Sequence, residues 1–147
     1  MAQVKKVLVL GCSGSIGKST ISILKEFPDR FSVVGLQVNT DEEFLINTAK
    51  DFNCNFLCVT GKTKENSLFP EKIKYFGKDS LKDFIQNSNA DIVVNGIAGS
   101  AGLMSSVYTL EAGIDLALAN KETMVMAGKI MQKSYLLIQS IVLFLVF

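Results

Sequence analysis

Glycine recurs every third residue after a short apolar run in Val7-Leu8-Val9-Leu10-Gly11-Cys12-Ser13-Gly14-Ser15-Ile16-Gly17, and this is where the chain carries most chemical information. Glycine reaches positive φ and has no Cβ, so Gly11 and Gly14 are expected to turn the backbone sharply and let it approach an anion. Gly17 is expected to let the following helix pack closely. Free N–H groups at a helix start, with the Ser13 and Ser15 hydroxyls beside them, suit a pyrophosphate. The same glycines would also serve a purely geometric strand-to-helix turn, and it is the strand before and the helix after that favour nucleotide binding.

A rival reading comes from Gly17-Lys18-Ser19, which ends like a triphosphate-binding P-loop. That motif needs its first glycine at position 12, where Cys12 stands, and Gly11 is one residue too early. No later strand closes on an aspartate to orient Mg²⁺, because Asp91 opens its strand and Asn95 closes it. Lys18 is therefore read as a solvated helix lysine.

Three further turns follow apolar runs. In Val38-Asn39-Thr40-Asp41-Glu42, Asn39 and Thr40 can hydrogen-bond a phosphate or a ribose hydroxyl, whereas Asp41 and Glu42 would repel a phosphate if aimed at it. Thr40 reads equally well as the N-cap of the next helix, with Asp41, Glu42 and Glu43 complementing its dipole. Asn95-Gly96-Ile97-Ala98-Gly99-Ser100-Ala101-Gly102-Leu103 is a small-residue crossing that a flat ring could approach. In Leu118-Ala119-Asn120-Lys121-Glu122-Thr123, Asn120 is a natural N-cap, and Lys121 and Glu122 read alike as surface charges or as site residues.

The elements that must hold these turns follow a βαβ rhythm. Strands are expected at Lys6 to Leu10, Phe31 to Val38, Phe56 to Val59, Asp91 to Asn95 and Asp115 to Ala119, as apolar runs buried on both faces. Helices are expected at Ile16 to Phe27, Asp41 to Phe52, Ser80 to Asn87, Gly102 to Ala112 and Asn120 to about Lys133. Pro28 stops the first and Gly113 the fourth. The stretch from Gly61 to Gly77, with Pro70 inside it, is mixed in character. The fold class is α/β, a doubly wound parallel sheet (Rossmann-like) forming a single domain over residues 1–133. Ligands of such folds sit beyond the carboxyl ends of the strands.

The 147 residues suffice for one domain; 48% are apolar and 20% charged, as in ordinary globular chains. A net charge of +1 without charged blocks gives no footprint for nucleic acid or a membrane surface. Cys12, Cys54 and Cys58 match no disulfide framework, no secretory leader precedes the first strand, and a reducing, cytoplasmic setting is expected. The thiols are read as core filling. The sequence has no histidine, which removes Ser-His and Cys-His nucleophile schemes and leaves no full set of metal ligands.

Taken in order, the glycine turn at 11–17, the Gly96-to-Leu103 crossing and Leu118-Ala119-Asn120-Lys121-Glu122-Thr123 make the chain resemble the 1-deoxy-D-xylulose 5-phosphate reductoisomerases from about Lys6 to Lys133. The Ala-Asn-Lys-Glu element is the most specific part. The resemblance implies that Ser13, Gly14, Ser15 and Ile16 hold the pyrophosphate of NADPH and that Asn39 and Thr40 lie near its adenosine ribose. It also implies that Asn120 and Glu122 sit on the nicotinamide side and that Lys121 reaches a sugar-phosphate substrate. That family uses a divalent cation, Mg or Mn, to chelate the substrate, rearranges the carbon skeleton, reduces the resulting aldehyde with NADPH, and works as a homodimer in isoprenoid biosynthesis.

The sequence departs from the family in two places. The Asn39-to-Glu42 loop lacks the lysine or arginine often found there. The Asp-Ser-Glu-His-type metal site and the catalytic and C-terminal domains do not follow; instead an apolar tail runs from Tyr135 to Phe147, too short and interrupted for a membrane span. The tail, 134–147, is read as one more strand or, by preference, as the product of a frame or gene lost near Ser134. The chain alone is expected to be inactive, with no catalytic and no metal residues of its own. A triphosphate-binding protein and a stand-alone dinucleotide-binding module are the competing readings.

Overall fold

The computed structural model describes residues 3–118 and 142–144. Seven parallel strands form one sheet in the order β4-β3-β2-β1-β5-β6-β7. They are β1 (Lys5–Leu10), β2 (Phe31–Val38), β3 (Leu57–Val59), β4 (Tyr75–Phe76), β5 (Ile92–Asn95), β6 (Asp115–Leu118) and β7 (Val142–Phe144). The helices are α1 (Ser15–Glu26), α2 (Glu42–Phe52), α3 (Leu81–Gln86) and α4 (Gly99–Glu111). The chain thus builds leftward from β1 to β4, then crosses back to lay β5 on the other side of β1. That reversal makes β1 and β5 the switch point of a doubly wound sheet.

Successive strand side chains point to opposite faces, and β1 shows this directly. Val7 and Val9 join Ile21 and Leu24 of α1 and Leu45, Ile46 and Ala49 of α2 in one buried cluster. Leu8 and Leu10 join Leu81, Phe84 and Ile85 of α3 in a second cluster on the opposite face. Two covered faces explain why the strands read as unbroken apolar runs. The second layer is pinned at its edge by Phe84, stacked on Phe56 at 4.7 Å between centroids and met edge-on by Tyr75 of β4 at 5.4 Å. The apolar residues of α1 recur on one face, and the helix stops just before Pro28, which cannot continue it.

Several expected boundaries move. Helix α4 begins at Gly99, three residues before the expected Gly102, because Ser100 and Ala101 are small enough to wind into its first turn instead of forming a crossing. Thr40 is not the N-cap of α2: Asp41 is, its Oδ1 accepting from Phe44 N at 3.1 Å. The chain enters helical geometry one residue later than expected, and aspartate caps at least as well as threonine. Asp41 and Glu43 stay near the helix dipole, but Glu42 turns inward. The mixed stretch from Gly61 to Gly77 contains a 3-10 turn at Lys64–Asn66 and the two-residue strand β4, too short for a periodic signal. α3 is preceded by another 3-10 turn, Lys78–Ser80. The expected helix from Asn120 to Lys133 lies outside the described residues. Of the apolar tail, Val142–Phe144 pairs in parallel with β6, Leu116 opposite Val142.

Candidate functional site

A cleft of about 620 Å³ opens at the carboxyl ends of the strands, across the switch point. One wall is the glycine turn with Gln37, Asn39 and Thr60; the other is Gly96 to Ala98 with the start of α4 and Tyr108.

Two glycines are required by the geometry of the turn. Gly11 has φ +66, and a Cβ there would lie 2.8 Å from the carbonyl carbon of Gly96, so β1 and β5 meet through bare backbone. A Cβ on Gly17 would overlap Gly11 O and the Cys12 backbone, so this glycine lets α1 sit directly on the turn. Gly14 differs from the expectation of a sharp turn: it is extended, at φ −76 and ψ 176, and a Cβ would rest 3.5 Å from Gly11 O, an ordinary contact. What its missing side chain leaves is an open helix end. Gly14 is the N-cap of α1, no side chain caps that helix, and the first turn holds no acidic residue.

The turn is tied to the rest of the sheet by a residue that the sequence reading passes over. Gln37, 2% exposed, accepts from Gly11 N through Oε1 at 2.7 Å and donates from Nε2 to Thr60 Oγ1 at 2.9 Å. Its carbonyl accepts from Cys12 N at 3.0 Å. The available signal is an amide at the carboxyl end of an otherwise apolar strand, since a buried polar side chain must find partners. On the far side Asn95, also 2% exposed, donates to Gly102 O at 2.7 Å and to Ser106 Oγ at 2.8 Å while accepting from Ile97 N. It fixes the Gly96-to-Ala98 loop against α4.

Of the residues singled out from the sequence, Ser13, Gly14 and Asn39 line the cleft; Ser15 and Ile16 open α1, and Thr40 is exposed on the loop before α2. Asn120, Lys121 and Glu122 lie outside the described residues.

Neither carboxylate of the loop after β2 points at a ligand. Asp41 caps α2, and Glu42 is buried with Lys62 Nζ 2.9 Å from Oε1. That contact is an ion pair without good hydrogen-bond geometry, whereas Oε2 accepts from Ser67 Oγ at 2.8 Å, Leu68 N at 2.9 Å and Phe69 N at 3.3 Å. Burial pushes the Glu42 carboxyl up, but Lys62, Ser67 and the Leu68 amide outweigh it and hold the group below its ordinary value. Glu42 thus anchors the 62–69 connection to α2. Lys18 is exposed, its Nζ 5.4 Å from the centroid of the Phe44 ring.

All three cysteines are free and buried. Burial pushes the Cys12 and Cys58 thiols up to about 12, so neither is a nucleophile near neutral pH. Among the described residues no three His, Cys, Asp or Glu come together, and no helix is long and apolar enough to cross a membrane.

The sheet order and the cleft at the β1/β5 crossing define a doubly wound, Rossmann-like α/β protein. The family model of 1-deoxy-D-xylulose 5-phosphate reductoisomerase matches residues 7–128. The Treponema denticola reductoisomerase is 44% identical over 126 residues, covering 86% of this chain and 32% of that protein. Among solved structures, the Zymomonas mobilis reductoisomerase in complex with NADPH superposes with a TM-score of 0.86 at 30% identity, covering 97% of this chain and 38% of that one. A reductoisomerase complex with NADPH, fosmidomycin and magnesium gives 0.84 at 28% identity, over 96% and 36%. The chain belongs to the 1-deoxy-D-xylulose 5-phosphate reductoisomerase family. It spans about a third of the length of these relatives.

Proposed function

We propose that this chain is the NADPH-binding portion of a reductoisomerase that converts 1-deoxy-D-xylulose 5-phosphate to 2-C-methyl-D-erythritol 4-phosphate in isoprenoid biosynthesis. The observation that carries it is the uncapped N-terminus of α1, with side-chain-free Gly14 at its cap, opening on a cleft at the switch point. That arrangement fits a pyrophosphate: the first-turn amides and the positive end of the helix dipole are left for an anion. The NADPH in the Zymomonas mobilis complex supports the choice of dinucleotide.

In this reading Ser13, Gly14, Ser15 and Ile16 hold the pyrophosphate by backbone amides and hydroxyls, and Asn39 and Thr40 flank the adenosine ribose. Gly96 and Ala98, with no side chain or only a methyl, leave room for the cofactor to cross toward Asn120 and Glu122, with Lys121 reaching the sugar phosphate. NADPH, when bound, supplies the hydride. Gln37 keeps the turn in register, and Asn95 holds the opposite wall. No ligand for the divalent cation of such an enzyme, Mg or Mn, is assigned among the described residues. Residues 1–133 act as the cofactor domain, and Val142–Phe144 of the apolar 134–147 segment adds a strand beside β6. Homodimeric assembly and a cytoplasmic location are carried over from the family resemblance.

Calorimetric titration with NADPH, NADH and ATP tests this. NADPH is expected to bind and ATP not to compete. Gly14→Ala is expected to keep the fold, because its Cβ has room, and to weaken NADPH at least about tenfold by placing a methyl where the anion approaches. Preference for ATP would replace this reading with the triphosphate one.

A further inference from the structure

The 2′-phosphate that separates NADPH from NADH calls for a cation near the adenosine ribose, and the loop built for that place has none. Asn39-Thr40-Asp41-Glu42 carries two carboxylates and no lysine or arginine. Both carboxylates are engaged elsewhere, so the loop does not repel a phosphate outright, but neither does it attract one. Two nearby lysines are already placed: Lys62 is 2.9 Å from Glu42, and Lys18 stands over Phe44.

Lys78 is different. It is exposed, makes no ion pair among the described residues, and is the one cation of those residues that lines the cleft, on the same side as Asn39 and Thr60. The sheet explains how it gets there. Strands β2, β3 and β4 are neighbours and parallel, so their carboxyl ends deliver Asn39, Thr60 and Gly77 side by side. Two strand spacings put the start of Lys78 about 10 Å from the end of β2. A lysine side chain and a phosphate bridge that span together. Gly77, at φ +84, turns the chain at this point, and its N–H donates to Val59 O at 3.0 Å, fixing the base of Lys78 to the end of β3.

We propose that Lys78 is the specificity residue that binds the 2′-phosphate of NADPH, taking over from the basic residue missing in the loop after β2. The inference rests on the cofactor reading above. Asp79 lines the same cleft and opposes Lys78, so the pair sets how strongly the phosphorylated cofactor is preferred.

The test is calorimetric titration of the whole chain and of Lys78→Gln, Lys78→Arg and Asp79→Asn with NADPH and with NADH. Lys78 and Asp79 are exposed, so the variants are expected to unfold at the wild-type midpoint. Lys78→Gln is expected to weaken NADPH about tenfold while NADH stays within about twofold; Lys78→Arg restores the preference, and Asp79→Asn tightens NADPH. Added salt is expected to weaken NADPH more in the wild type than in Lys78→Gln. An unchanged NADPH-to-NADH ratio in Lys78→Gln, or a wild type that binds both cofactors equally, overturns the role of Lys78 and leaves the dinucleotide reading standing. A wild type that binds neither overturns both.

Discussion

Replacing Gln37 with methionine keeps the length of the side chain and removes both of its hydrogen bonds, so the cost can be worked from the structure. The Gly11 amide, bonded to Oε1 at 2.7 Å, loses its acceptor in a partly buried turn. An unsatisfied buried donor costs about 1–3 kcal/mol, and partial access to water places this one near the lower half of that range. Thr60 is less affected, because its hydroxyl is at the cleft edge and can turn to solvent. Allowing for the favourable burial of a thioether, the net loss comes to about 1 kcal/mol. For a chain of this size that is a fall of about 2–4 °C in Tm. Urea unfolding followed by circular dichroism reads the stability, and NADPH titration of the folded variant reads the site. Affinity is expected to fall as well, because Gly11 sets the position of Gly14 at the head of α1. A Gln37→Met protein with wild-type stability and wild-type affinity would refute the idea that this amide holds the turn.

Two other outcomes follow from buried groups. Glu42→Gln is expected to destabilise the protein by about 2 kcal/mol at neutral pH, since Lys62, the Ser67 hydroxyl and the Leu68 and Phe69 amides lose a charged partner. The Glu42 carboxyl is held below its ordinary value of 4.5, so its contribution is fully present above that pH and is lost as pH falls through the lower folded value. The gap between wild type and variant in urea midpoint should therefore close in acid; a gap constant from pH 7 to pH 2 contradicts this. With Cys12, Cys54 and Cys58 buried and their thiols pushed up, an aromatic disulfide reagent at pH 8 should find no fast-reacting thiol in the native protein and three after denaturation. A rapid native burst would show that the core opens more readily than its packing implies.

Local sequence determines a good deal here. The Val7-to-Leu10 run with Gly11, Gly14 and Gly17 behind it specifies a buried strand, a turn and a helix, because each depends on near neighbours and on backbone freedom. The strands β1, β2, β3, β5 and β6 and the first four helices are legible for the same reason. Their ends shift by one to three residues where Asp41 outcompetes Thr40 as a cap or where Ser100 and Ala101 join a helix. β4 is not legible, because two residues carry no period.

Tertiary structure decides what the same residues are for. Gln37 reaches a partner 26 positions away and Glu42 partners 25 to 27 positions away. No spacing rule connects them: pairing of β1, β2 and β3 brings Gln37 to Gly11 and Thr60, and Glu42 meets the connection that follows β3. Gly14 reads like Gly11 in the sequence, yet one occupies extended backbone and the other left-handed backbone pressed against Gly96. Lys78 reads as one surface lysine among many until parallel pairing of β3 with β4 carries it to the rim of the cleft. The sequence states which residues can turn, cap or carry charge; which of them meet is fixed by sheet order, because hydrogen-bonded neighbours in a parallel sheet come from segments far apart in the chain.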